Sequence, residues 1–110
     1  MIRRPWGTYE VLLDEPECKV KRIFVYPKQR FSLQYHNYRE EHWTIVDGIG
    51  TITQGDISST IRPGEYAYIP KKAIHRLDGG ENGVLFIEVQ RGKCDEDDIV
   101  RLSDDYGRVN

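Results

Sequence analysis

Apolar and polar positions in this chain alternate in short runs broken by Gly, Pro, Asp and Asn, the pattern of β-strands joined by tight turns. Residues 19–26 (KVKRIFVY) interleave charged and apolar side chains before becoming continuously apolar. After a turn at Pro27-Lys28-Gln29 the chain enters strand-like runs at 31–35 (FSLQY) and 42–46 (HWTIV). Asp47-Gly48 followed by Gly50 reads as a hairpin turn, and Gly55-Asp56, between 51–54 and 57–61, as a second. Pro63-Gly64 turns into 66–70 (YAYIP); 74–77 is a short run, 78–83 (DGGENG) is loop, and 84–90 (VLFIEVQ) is the longest apolar strand. The first thirteen residues, with Trp6, Tyr9 and the apolar triplet Val11, Leu12 and Leu13, read as an entry segment feeding a first strand, closed by a turn at Asp14-Glu15-Pro16. No stretch before residue 94 carries a convincing helical period. The tail (CDEDDIVRLSDDYGR) begins with acids, which favour a helix N-terminus, and predicts one helical turn from Asp95. About eight to ten short strands predict an all-β fold, a small sandwich or barrel, with residues 1–110 forming one domain.

Composition narrows the function. The chain is 38% hydrophobic and 31% charged, with 10 glycines and 5 prolines, which suits many strands and turns. A net charge of −2 gives no general electrostatic reason to bind nucleic acid or an anionic membrane. No apolar run is long enough to span a bilayer, and MIRRPWG has no apolar signal-peptide core, so the expected location is cytoplasmic. Cys18 and Cys94 then read as reduced thiols.

The candidate chemistry lies in residues 31–48. Gln34 and His36 are two apart, so an extended strand puts them on one face. A polar loop at 37–40 then delivers Glu41, in phase with Trp43 and Ile45, and His75 arrives from further along. Taken singly, His36 and His75 read as ordinary hydrogen-bonded histidines. As a set, two imidazoles, a carboxylate and an amide suit a divalent ion such as zinc, iron, cobalt or nickel. His42, next to Glu41, faces the other side of its strand. Arg30, Arg39, Lys71, Lys72, Arg76, Arg101 and Arg108 admit a phosphate reading; Lys71 and Lys72, in a turn, read as solvated, whereas Arg39 and Arg76 sit beside the candidate ligands. The acids at 95, 97, 98, 104 and 105 read as a solvated tail. No nucleophile motif, phosphate-cradling glycine loop, Cys-x-x-Cys pair or dinucleotide fingerprint is present.

Taken together, FSLQYHNYREEHW…DG and PGEYAYIPKKAIHRL resemble the two cupin motifs. RPWGTYEVL, the IEVQ-x-G segment and EDDIVRLSDDYGR bring the likeness closer, to the C-terminal cupin domain of type II phosphomannose isomerases, which is normally fused behind a mannose-1-phosphate guanylyltransferase domain. The resemblance runs from about Arg4 to Arg108. It implies a double-stranded β-helix holding a divalent metal, most readily zinc, on Gln34, His36, Glu41 and His75, with Gly48 at the motif's turn. Two positions depart from the family wording: Asn37-Tyr38 stands where a histidine run is usual, and Lys72 where a glycine is usual. The implied reaction is interconversion of mannose 6-phosphate and fructose 6-phosphate, which needs a base to move a proton between C2 and C1 and cations to hold the oxyanion. Glu88 is a candidate base; Arg76 and Arg101 are candidates for phosphate or transition-state charge.

The alternative is a non-catalytic cupin module, or an accessory subunit to a separate guanylyltransferase, that recognises a sugar phosphate or nucleotide sugar. A further cupin reaction such as dioxygenation or epimerisation would reuse the same ligand set with another metal. Exposed strand edges lead us to expect a homodimer.

Overall fold

A computed structural model describes residues 1–109, and in it the alternation becomes eleven strands among the described residues. They are β1 (Ile2–Arg4), β2 (Gly7–Glu15), β3 (Cys18–Val25), β4 (Leu33–Tyr35), β5 (Arg39–Asp47), β6 (Gly50–Gln54), β7 (Ile57–Ile61), β8 (Tyr66–Ile69), β9 (His75–Asp78), β10 (Val84–Gly92) and β11 (Val100–Ser103). One sheet runs β1-β2-β3-β10-β5-β8 and the other β11-β4-β9-β6-β7, with every pairing antiparallel. Val25, Trp43, Ile45, Ile69, Leu77, Val84 and Phe86 fill the space between the sheets. The expected all-β class is what the chain adopts.

Two turns separate what is local from what is not. Gly55-Asp56 closes a two-residue hairpin, since Gln54 pairs with Ile57 across β6 and β7. Asp47-Gly48 does not close one: β5 and β6 lie in different sheets, so this glycine turn carries the chain from one sheet to the other. Gly48 has φ +88°, and a Cβ there would lie 2.0 Å from the carbonyl oxygen of Gly83, so close backbone approach as well as conformation requires glycine. The expected loop at 37–40 is shorter than read, because β5 already begins at Arg39. The tail forms no helix. Residues 94–99 make an irregular strap, and 100–103 pair with β4 as β11, an outcome set by long-range strand pairing that local charge does not report.

Burial along β3 alternates so that Lys19 and Lys21 fall on the same inner face as Ile23 and Val25. Along β10 the inward set is Val84, Phe86, Glu88 and Gln90, leaving Leu85, Ile87 and Val89 on the outer face. The apolar look of VLFIEVQ therefore conceals a polar half of the interior. The inner faces of β3, β5 and β10 carry Lys21, Glu41 and Glu88 toward one end of the barrel, where the site lies.

Candidate metal centre

His36 follows directly after β4, Glu41 is the third residue of β5, and His75 opens β9, so the two sheets supply the set between them. One ligand atom from each residue lies within 4.8 Å of the others. His36 Nε2 is 3.2 Å from Glu41 Oε2, and His75 Nε2 is 3.8 Å from Glu41 Oε1. The outer ring nitrogens are both committed. His36 Nδ1 meets the carbonyl oxygen of Asp98 at 2.7 Å, and His75 Nδ1 that of Ala73 at 2.9 Å. A carbonyl only accepts, so each Nδ1 carries a proton; in the neutral imidazole this leaves the Nε2 lone pair facing inward, the arrangement metal-ligating histidines adopt.

His75 Nε2 is buried with no hydrogen-bond partner among the described residues, the kind of orphaned atom that a metal ion would satisfy. Burial pushes the His75 imidazole down to about 4, against the pull of Glu41, and so holds it in the neutral form that can ligate. Burial also opposes ionisation of Glu41, yet His36, His75 and Arg39 together hold its carboxyl well below the usual range. The donor set fits a divalent ion. Gln34 lines the same cavity, and Ser32 donates to its Oε1 at 2.7 Å, leaving that oxygen a second lone pair for the centre.

Two further side chains aim Glu41. Arg39 Nε donates to its Oε2 at 3.0 Å and Trp43 Nε1 to its Oε1 at 3.1 Å. Arg39 is thus a buried cation inside the centre, not a loop residue. Glu88 stands on the neighbouring strand, paired with Trp43 in register. Burial, and then the charge of Glu41, raise its carboxyl well above the usual range, so of these two acids Glu41 keeps the charge and Glu88 the proton.

The centre opens into a cavity of about 280 Å³. Arg101 and Glu88 line it, as do Arg4, Tyr9, Lys21, Glu96 and Arg108; of these the sequence alone points to Arg101, Glu88 and Arg108. Two-residue periodicity placed Lys21 inward with Ile23, a signal that a charged strand residue tends to mask. Arg76 does not line the cavity. It lies on the opposite face of β9 from His75, buried, donating from Nε to the carbonyl of Phe31 at 2.9 Å and from Nη2 to that of Ser103 at 3.3 Å. It ties β9 to the backbone just before β4 and at the end of β11. Arg76→Met is expected to cost about 2 kcal/mol of stability in urea unfolding, from two lost charge-assisted bonds, while metal affinity stays within about twofold of the parent because the centre is untouched.

The acidic strap at 94–99 covers one side of this mouth. Asp98 accepts from the backbone N–H groups of Asn37 and Tyr38, each at 2.9 Å, and the carbonyl of Asp95 accepts from Arg39 Nη1 at 3.0 Å. The Asp98 carboxylate is thus bonded in place, which corrects the reading of it as part of a solvated tail, while Asp95 and Asp97 are exposed.

Comparison with known proteins gives consistent results. The family model described as "Mannose-6-phosphate isomerase C-terminal" matches residues 1–104. The chain is 42% identical to the xanthan biosynthesis protein XanB of Xanthomonas campestris pv. campestris (strain B100), over 98% of its own length and 24% of that protein's. It is 41% identical to the mannose-1-phosphate guanylyltransferase of Escherichia coli (strain K12), over 98% of itself and 23% of that protein. The chain therefore spans about a quarter of the length of the curated relatives it matches. A solved double-stranded β-helix protein from Klebsiella pneumoniae superposes with a TM-score of 0.78 at 18% identity, covering 91% of this chain and 89% of the other, which shows the shared cupin fold. These names correct one expectation. The relatives are named for guanylyl transfer and polysaccharide biosynthesis, not for aldose–ketose isomerisation, and this overturns the reading of the chain as a mannose 6-phosphate isomerase.

Proposed function

The chain belongs to the mannose-6-phosphate isomerase C-terminal family, and from that premise we propose that it is a cupin binding module that recognises a sugar phosphate in support of a guanylyltransferase. The observation that carries the reading is a His36-Glu41-His75 group, the floor, whose His36 and Glu41 line one cavity together with a wall bearing Arg4, Lys21, Arg101 and Arg108. Neutral oxygens of a sugar suit the floor, and a phosphate suits the cationic wall. A volume near 280 Å³ lies just below the range for small-ligand pockets, about 300–1,000 Å³, which favours a hexose phosphate inside with any nucleotide portion left outside.

When bound, a divalent ion supplies a Lewis-acidic contact for hydroxyl oxygens; His36, Glu41 and His75 would hold it, with Gln34 as a fourth ligand. Two imidazole nitrogens with oxygen donors suit zinc among other divalent ions, and the family resemblance points to zinc. Glu88, holding its proton, acts in this reading as a buried hydrogen-bond donor. The names of the relatives support mannose 1-phosphate as the sugar phosphate and a guanylyltransferase as the protein served.

Calorimetric titration of zinc-loaded protein with mannose 1-phosphate, mannose 6-phosphate, GDP-mannose and free mannose tests this. Saturable binding of at least one phosphorylated ligand, and none of free mannose, is expected. Absence of binding by all three phosphorylated ligands, with zinc and with other divalent metals, would overturn the proposal.

A further inference from the structure

Lys19 and Lys21 are the least expected side chains in the barrel. Both point inward from β3 with their side chains 8% and 7% exposed, and burying two ammonium groups is costly unless each finds an anion. Both find the same one. Glu96, near the middle of the strap, places Oε1 2.6 Å from Lys21 Nζ and 3.3 Å from Lys19 Nζ. Asp14 is a more distant partner of Lys19, at 3.9 Å.

The surroundings of Lys21 are shaped for more than one carboxylate oxygen. Its Nζ sits 4.3 Å from the centroid of the Tyr9 ring, and Arg4 lies over the same ring at 5.5 Å while donating to the Tyr9 hydroxyl at 3.3 Å. Arg4, Tyr9 and Lys21, on the adjacent strands β1, β2 and β3, thus form a polar wall of the cavity, and Glu96 lines the same cavity beside them. The strap is pinned on both sides of Glu96, through the Asp95 carbonyl and the Asp98 carboxylate, so its side chain can turn away without the strap letting go.

We propose that Arg4, Tyr9 and Lys21 form the subsite for a ligand's phosphate monoester, and that the Glu96 carboxylate is a built-in occupant of it that the phosphate displaces. This rests on the sugar-phosphate reading above and adds the residues and the gate. A phosphate dianion brings three acceptor oxygens and a second negative charge to cations that Glu96 serves with one oxygen. Selectivity follows, because a neutral sugar cannot compete with Glu96 for Lys21, whereas a phosphate monoester can.

The test titrates inorganic phosphate and mannose 1-phosphate into zinc-loaded parent, Glu96→Gln and Lys21→Met proteins, with thermal melts to confirm that each is folded. Removing the competing charge in Glu96→Gln is expected to tighten both ligands about tenfold, and Lys21→Met to weaken both about tenfold. Binding by Glu96→Gln alone would also support the gate, as a parent held closed by its own carboxylate. If the parent binds mannose 1-phosphate and both folded variants match it within twofold, the subsite and gate are wrong while the sugar-phosphate reading stands. If neither the parent nor Glu96→Gln binds either ligand, both fail together.

Discussion

His75→Ala protein is expected to keep its β fold and lose its divalent metal. The imidazole is fully buried, its Nδ1 is bonded to a backbone carbonyl, and its Nε2 has no hydrogen-bond partner among the described residues. Alanine removes the only ligand that the second cupin segment contributes to the His-Glu-His group. Losing even an outer-shell partner of a metal ligand costs 10- to 100-fold in affinity, so losing a ligand is expected to cost at least about 100-fold. Elemental analysis after dialysis against a weak chelator, paired with far-ultraviolet circular dichroism, reads both halves. A variant with full metal occupancy would show that the ligand set is misassigned. Glu41→Gln is expected to behave likewise, with the added strain of leaving Arg39 buried beside a neutral amide.

Trp43→Ala is expected to destabilise the protein by about 4 kcal/mol, the scale for deleting a large buried aromatic. Trp43 is 1% exposed and joins the apolar core to the centre. Its ring meets Phe86 at 4.9 Å, His75 at 5.7 Å and Phe31 at 5.9 Å between centroids, and its Nε1–H holds Glu41 Oε1. Trp43→Phe separates these roles. It retains most of the buried area and removes only the hydrogen bond, so a loss nearer 1–2 kcal/mol is expected from urea unfolding, together with weaker metal binding. Equal losses in the two variants would mean that packing does not set the cost.

The parts of this fold that were legible in the sequence are those governed by local rules. Gly55-Asp56 makes the hairpin it announces, and the strand-by-strand period is visible wherever apolar and polar side chains alternate. Residues 34, 36 and 41 converge because period-two geometry puts them on inner faces, and His75, further along the chain, joins them as a second histidine. What stayed hidden depends on partners distant in sequence. Asp47-Gly48 resembles a hairpin turn locally, but strand pairing sends β5 and β6 to different sheets. Lys19 and Lys21 show in the sequence only as charges interleaved with apolar residues; Glu96, 77 residues from Lys19, and Asp14 beside Lys19 make their inward orientation tolerable. Arg76 was drawn toward the site by its neighbour His75, although alternation sends adjacent residues to opposite faces, the same logic that kept His42 out. The closing DDYGR was legible as a motif and opaque as a structure. Asp105 holds Arg30 through two bonds of 2.8 and 3.0 Å, Asp104 holds Arg108, and Tyr106 donates to Gln29 at 2.6 Å, so the tail clasps the loop before β4.

The bond from His36 Nδ1 to the carbonyl of Asp98 makes one strap serve both as a wall of the mouth and as the support of a candidate ligand. Reciprocity follows from thermodynamics. Whatever factor by which a bound ion stabilises the seated strap, the seated strap strengthens the hold on the ion by the same factor. A chain that loosens at residues 94–99 therefore surrenders affinity at a centre whose His36 ring is held by the backbone of those residues.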